Sequence, residues 1–198
     1  MNAVMISIQP KWCKKIESGE KTVEVRKTRP KIKTPFKCYI YETKGKIKYF
    51  SQPMPIPYYE GDGRVIGEFV CNKITLTSMW RLLGKTGQCA KRTEDEENFP
   101  QLSCLTLDEI GDYAGSEHRI LYGWHISDLV IYDTPKWLNE FRAQCKEYDK
   151  DKPGCGGCEY YYYECNESVG FYDECTCDGL KHITRPPQSW CYVEVDDD

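Results

Sequence analysis

Gly19-Glu20-Lys21-Thr22-Val23-Glu24-Val25-Arg26 is the stretch whose reading decides the fold. Gly19 is the residue type that ends a helix in a left-handed backbone conformation. From Thr22 the chain alternates, with Val23 and Val25 on one side and Thr22, Glu24 and Arg26 on the other. A turn therefore passes into a strand. If the valines enter the core, Lys21, Glu24 and Arg26 line a groove or face solvent at the mouth of a small barrel. Fixed charges of both signs there suit a polar ligand carrying phosphate and hydrogen-bonding edges.

Working outward, Ala3 to Ile8 reads as a buried strand, and Pro10 opens a helix at its first turn. Trp12, Ile16 and Cys13 give that helix an apolar side. Phe36 to Glu42 and Arg64 to Cys71 read as further strands, the second extended by Ile74 to Thr77. Residues 51–63 are rich in Pro and Gly and read as a loop. Residues 84–105 read as a polar surface insertion. Thr106 with Glu109 three residues on predicts a capped helix start. Ile120 to Tyr132 carries a strand pair or one long bent strand, Pro135 to Phe141 a short helix, and Ser189 to Val195 a last strand. Short strands, few helices and Pro/Gly-bearing loops predict an α+β domain: a small mixed β-barrel with flanking helices.

The 198 residues fit a single domain with insertions. No apolar run approaches the ~20 residues of a membrane span, and the N-terminal segment does not read as a signal peptide. A cytoplasmic location is expected, with no membrane partner. The net charge of -4 hides an asymmetry: residues 1–50 hold 13 Lys and Arg against 4 Asp and Glu. The basic N-terminal part suits an anionic partner such as RNA. The acidic remainder opposes indiscriminate coating of duplex DNA. The plain alternative is a solvated surface of uneven charge.

Twelve cysteines are many for a chain read as cytoplasmic. Five of them cluster in a Cys- and Tyr-rich insertion at about 146–182. Cys155 and Cys158 form a C-x-x-C knuckle, and Cys175 and Cys177 a tighter pair. These four are the candidate ligands of a structural zinc, with Cys165 or His182 as a substitute. The insertion has few aliphatic residues to offset its ordering entropy, which favours a metal. The competing reading is a loop of reduced thiols packed on Tyr160 to Tyr163 and Phe171.

The residues around this frame resemble the ASCH domain family of the PUA-like barrels. The resemblance is carried by Ile6-Ser7-Ile8-Gln9-Pro10-Lys11-Trp12, by Ile16 to Gly19, and by the family's Gly-x-Lys-x-x-Glu signature at Gly19, Lys21 and Glu24. Val65 to Phe69, Gly123 to Ile126, Pro135 to Phe141 and Arg185 to Trp190 are similar to its later segments. The resemblance implies a barrel with a cleft beside the first helix, and a role with RNA or modified nucleotides. Some members are enzymes: one is an amidohydrolase on N4-acetylcytidine, another cleaves RNA. In the amidohydrolase branch the motif lysine works with a threonine and a central-strand glutamate. Lys21 and Glu68 match two of these, but position 24 is Glu24, which cannot serve as a hydroxyl nucleophile.

A binding role asks less. Lys21 and Arg26 are candidate phosphate holders, and Glu24 a hydrogen-bond acceptor for a base amino edge. Trp12 and Tyr39 are candidate stacking faces, and Ser189 lies in the closing motif. An enzyme would use Lys21, Glu24 and Glu68; a ribonuclease would draw on Tyr39 or Tyr41, Lys21 and Ser189. A third reading is a protein-interaction role through the Cys-rich insertion. His125, between Trp124 and Ile126, reads as structural.

Overall fold

The computed structural model describes residues 2–45, 47–50, 56–85, 92–145 and 179–194. Strand β1 (Asn2–Ile8) runs into helix α1 (Pro10–Glu17), which starts at Pro10 and buries Pro10, Cys13 and Ile16. Gly19, at φ +76°, turns the chain away from the helix. The Lys21 amide donates to the Lys15 carbonyl at 2.8 Å, so the next strand, β2 (Val23–Arg26), leaves from a fixed point. Strand β3 (Phe36–Glu42) follows, then a hairpin of β4 (Ile47–Phe50) and β5 (Ile56–Tyr59) where a loop was expected. Strand β6 (Val65–Thr77) and strand β7 (Leu121–Lys136) are long and pair antiparallel. The second is one bent strand that runs through Pro135. The helix expected there shrinks to a 3-10 turn at Leu138–Glu140. Strands β8 (Arg142–Gln144) and β9 (Leu180–His182) form a small ladder, and β10 (Trp190–Glu194) ends the described chain.

The main sheet has the order β10-β1-β3-β6-β7-β2, with β1 and β3 parallel. It is not the closed barrel expected from the sequence. Among the described residues its outer strands β2 and β10 are joined by no ladder, and β2 has four residues before a segment with Pro30 and Pro35, which lack a backbone donor. The sheet instead curls until β2 and the segment after it meet β1 and β10 through single hydrogen bonds. The Arg26 Nη2 donates to the Ser7 carbonyl at 2.5 Å, the Trp190 Nε1 to the Thr28 Oγ1 at 2.9 Å, and the Lys31 amide to the Tyr192 Oη at 2.7 Å.

Within the curl lies the main core, centred on Trp124 with Val4, Ile6, Cys38, Ile40 and Phe69. The opposite face carries Ala3, Met5, Tyr39, Tyr41, Val65 and Phe141. Val23 and Val25 enter neither. They pack with Phe99, Ile110 and Leu121 under a helical cap made of α2 (Met79–Leu82), α3 (Glu94–Glu97), α4 (Phe99–Ser103) and α5 (Leu107–Ala114). The segment expected as polar surface thus buries Phe99 and Ser103. Its caps follow local rules: Thr106 and Glu109 form the expected capping box, and Thr93 and Glu96 a second. Arg81 on α2 grips the Glu96 carboxylate, its Nη2 at 2.8 Å, which holds that acid below the usual carboxylate range. Among the described residues no helix is long and apolar enough to cross a membrane.

Candidate functional site

The register that places β2 decides the site. Glu24 stands opposite Trp124 across the β2–β7 pair, so its side chain shares the face of the main core. Arg26, two residues on, points the same way. Lys21 approaches from the turn before the strand. The three groups meet as one ion cluster: Lys21 Nζ lies 3.3 Å from one Glu24 oxygen, and Arg26 Nη2 3.0 Å from the other. They are 2%, 7% and 8% exposed. The sequence reading had them facing a groove or solvent; they form the floor of a groove, nearly closed from water.

Burying charge is costly unless each group is paired and hydrogen-bonded. Lys21 meets that condition fully. Its ammonium has three donors; it donates to the Ser103 carbonyl at 2.7 Å, pairs with Glu24, and stands 5.1 Å from the Trp12 ring centroid. The lysine therefore ties α1, β2 and α4 together. Arg26 binds Glu24 and Ser7 through Nη2, while its buried Nε has no partner among the described residues. Two cations share one anion, which leaves the floor with a net charge of about +1.

Above this floor opens a cleft of about 670 Å³. One wall is α1, with Lys11 and Trp12; the other is α5, with Asp112 and Tyr113; Pro187 and Gln188 close the third side. Lys11 reaches Glu109 across the mouth at 3.8 Å, both side chains about half exposed. Such an exposed pair contributes about 0–1 kcal/mol, so it does not lock the mouth. Burial pushes the Tyr113 phenol up from its ordinary value. The cleft has the size of a ligand pocket, and it combines flat apolar walls with a polar floor and rim.

The other expected site residues divide. Trp12 lines the cleft with Lys21, Glu24 and Arg26. Ser189 follows the cleft-lining Gln188, and its carbonyl accepts the Ser7 amide at 2.9 Å. Tyr39 and Glu68 are not brought there. Cys38 and Ile40 point into the main core, so Tyr39 between them faces away, meeting Phe141 edge-on at 4.8 Å. Glu68 stands opposite Tyr39 and shares that far face. It accepts from Tyr132 Oη at 2.6 Å and pairs with Lys37 at 2.9 Å. Burial alone would raise its pKa, but those two partners leave it lowered. The grouping of Lys21 with Glu68 is thus not assembled. His125 has Nε2 2.8 Å from Thr75 Oγ1 and a pKa lowered mainly by burial. Cys155, Cys158, Cys175 and Cys177 lie outside the described residues; among the described residues no cluster of three or more metal-binding side chains occurs.

Ser7, Ser103, Asp112 and Tyr113 were missed. Glu109, Asp112 and Tyr113 at i, i+3 and i+4 of α5 share a helix face, a spacing visible in the sequence. Nothing local marks the Ser103 carbonyl as the partner of a lysine 82 positions away.

Among solved structures the chain is similar to the ASCH crystal structure from Zymomonas mobilis, with 18% identity and a TM-score of 0.51, covering 97% of this chain and 87% of that one. Two mutants of that protein, one tyrosine-to-phenylalanine and one serine-to-alanine, each give a TM-score of 0.45, with 18% and 17% identity. They cover 97% of this chain and 90% and 88% of theirs. No family model and no curated protein matches. The likeness shows the fold: the chain has the α+β architecture of an ASCH domain.

Proposed function

With an ASCH fold as its frame, we propose that this chain belongs to the ASCH family and binds single-stranded RNA, one nucleotide entering the cleft between α1 and α5. The observation that carries this reading is the pairing of a net-positive, nearly buried floor with the flat walls of Trp12 and Tyr113. A base has a face for such walls whatever its identity. Gln9 and Gln188 at the rim offer donors and acceptors to its edges. Glu24 keeps spare lone pairs for an amino group, since each carboxylate oxygen accepts more than one bond. Lys11, half exposed at the mouth, lies 4.1 Å from the Trp12 ring centroid and 3.8 Å from Glu109; an entering base displaces its ammonium from the ring toward the phosphate, whereas Lys21 stays held by Ser103, Glu24 and Trp12. A cytoplasmic setting suits the described cysteines, which are free thiols.

Titration of a fluorescein-labelled single-stranded RNA, read by anisotropy at several salt concentrations, tests the proposal. Affinity falls linearly on a log–log salt plot, and Lys11→Ala reduces the slope by about one. Trp12→Ala weakens binding by about 1–3 kcal/mol. Absence of measurable RNA affinity at low salt overturns it.

A structural zinc on Cys155, Cys158, Cys175 and Cys177 is our proposal from the sequence alone. Purified chain then carries about one zinc per molecule, and Cys155→Ser with Cys158→Ser abolishes it. Metal analysis showing no zinc in the unmodified chain overturns this reading.

A further inference from the structure

A second hollow, of about 850 Å³, opens beside the first cleft and shares Thr43 and Pro186 with it. Its main surfaces are Tyr41, Lys44, Trp137 and Ile183. Trp137 is 55% exposed, far more than an indole ordinarily is. It is nonetheless held still. The Arg64 guanidinium stacks on its ring, 3.7 Å from the centroid, and the Glu140 carboxylate accepts its backbone N–H. Lys44 stands at the rim with its stem laid along Gly63, where an added Cβ would meet its Cε at 2.8 Å. Gly63 has φ +69°, so the position suits glycine twice over. Lys44 on the rim and Arg64 over the indole bring two positive charges to this side of the molecule.

We infer that this hollow receives the nucleotide next to the one in the first cleft, its base stacked on Trp137 and its phosphate facing Lys44. The ligand class is then a single-stranded RNA of two or more nucleotides, not a free nucleoside. The inference rests on the RNA reading above. With Arg64 over one face of the indole, the exposed area lies on the remaining face and edges, the arrangement a stacking base completes. The positive rim matches a phosphodiester, and the shared Thr43 and Pro186 give a strand a continuous path from one hollow to the other. An acidic peptide would satisfy the charge but would leave the indole without a flat partner.

The test compares uridine and adenosine monophosphates with a mixed-sequence octaribonucleotide, by calorimetry at fixed salt. Unmodified chain binds the octamer more than about tenfold tighter than either monophosphate. In Trp137→Ala the octamer-to-monophosphate affinity ratio falls by roughly 5- to 150-fold. Trp137→Phe, which keeps a ring, retains most of the ratio, and Lys44→Ala lowers the salt slope of octamer binding by about one. If the unmodified chain binds neither probe, the RNA reading itself fails. If it binds both equally, or if the ratio is untouched in both Trp137→Ala and Lys44→Ala, the second hollow is no subsite and the first cleft stands alone.

Discussion

Glu24→Ala unfolds at much lower urea than the unmodified chain, with a loss of about 3–5 kcal/mol. Among the described residues the carboxylate is the sole anion in contact with two nearly buried cations, Lys21 at 3.3 Å and Arg26 at 3.0 Å. Removing it leaves both charges out of water without compensation, and they repel each other. Lys21 keeps the Ser103 carbonyl and Arg26 keeps the Ser7 carbonyl, but neither dipole replaces a full negative charge. The damage spreads beyond the cluster. Arg26 reaches from β2 to the Ser7 carbonyl on β1, and Lys21 anchors α4. Equilibrium urea unfolding, followed by far-ultraviolet circular dichroism, measures the loss. A change below about 1 kcal/mol shows that water reaches the cluster and that the three charges are not buried as a unit.

Trp124→Ala is expected to match that loss, at about 3–5 kcal/mol. The indole is fully buried and joins three strands: Phe36 meets it edge-on at 5.6 Å, and Trp190 from β10 lies 6.1 Å away. Truncation empties the centre of the main core and loosens the contact across which the sheet curls. Trp124→Phe costs less, because a ring remains for Phe36 and the buried Nε1, without a partner among the described residues, disappears. Trp124 and Glu24 are cross-strand neighbours, so the double substitution falls short of the sum of the single losses. Thermal unfolding of the set checks both statements; a Trp124→Ala protein as stable as the unmodified one removes this residue from the core's centre.

The two substitutions bear on function differently. Glu24 holds the cleft floor together, so its loss removes ligand affinity and stability in step. Trp124 lies behind the floor and acts on the ligand through the position of β2. Exposed variants such as Lys11→Ala therefore separate binding from folding where the buried ones do not.

Several local features were legible in the chain because their cause spans a few residues; the Thr93–Glu96 capping box, equally local, was not read. Pro10 and Gly19 bound α1, and Thr106 with Glu109 caps α5, because caps and backbone angles act within one turn. The alternation at 23–26 correctly separated Val23 and Val25 from Glu24 and Arg26. Alternation says which residues share a side; it does not say what each side meets. The valines went to a second core under the helical cap, and the charges went to the face of Trp124. The same ambiguity misled the reading of Tyr39 and Glu68, whose strand was right and whose face was not the cleft's.

From its sequence alone this chain determined where α1 begins and ends, where α5 begins, and that a lysine, a glutamate and an arginine gather near a turn. Tertiary structure alone decided that the sheet stays open, that Phe99 is core, and that Ser103, Trp12 and Ser7 complete the charge cluster. The physical reason is range. Caps and alternation are enforced by neighbours along the backbone. A buried charge must find its partners in space, and here one comes from 82 residues away.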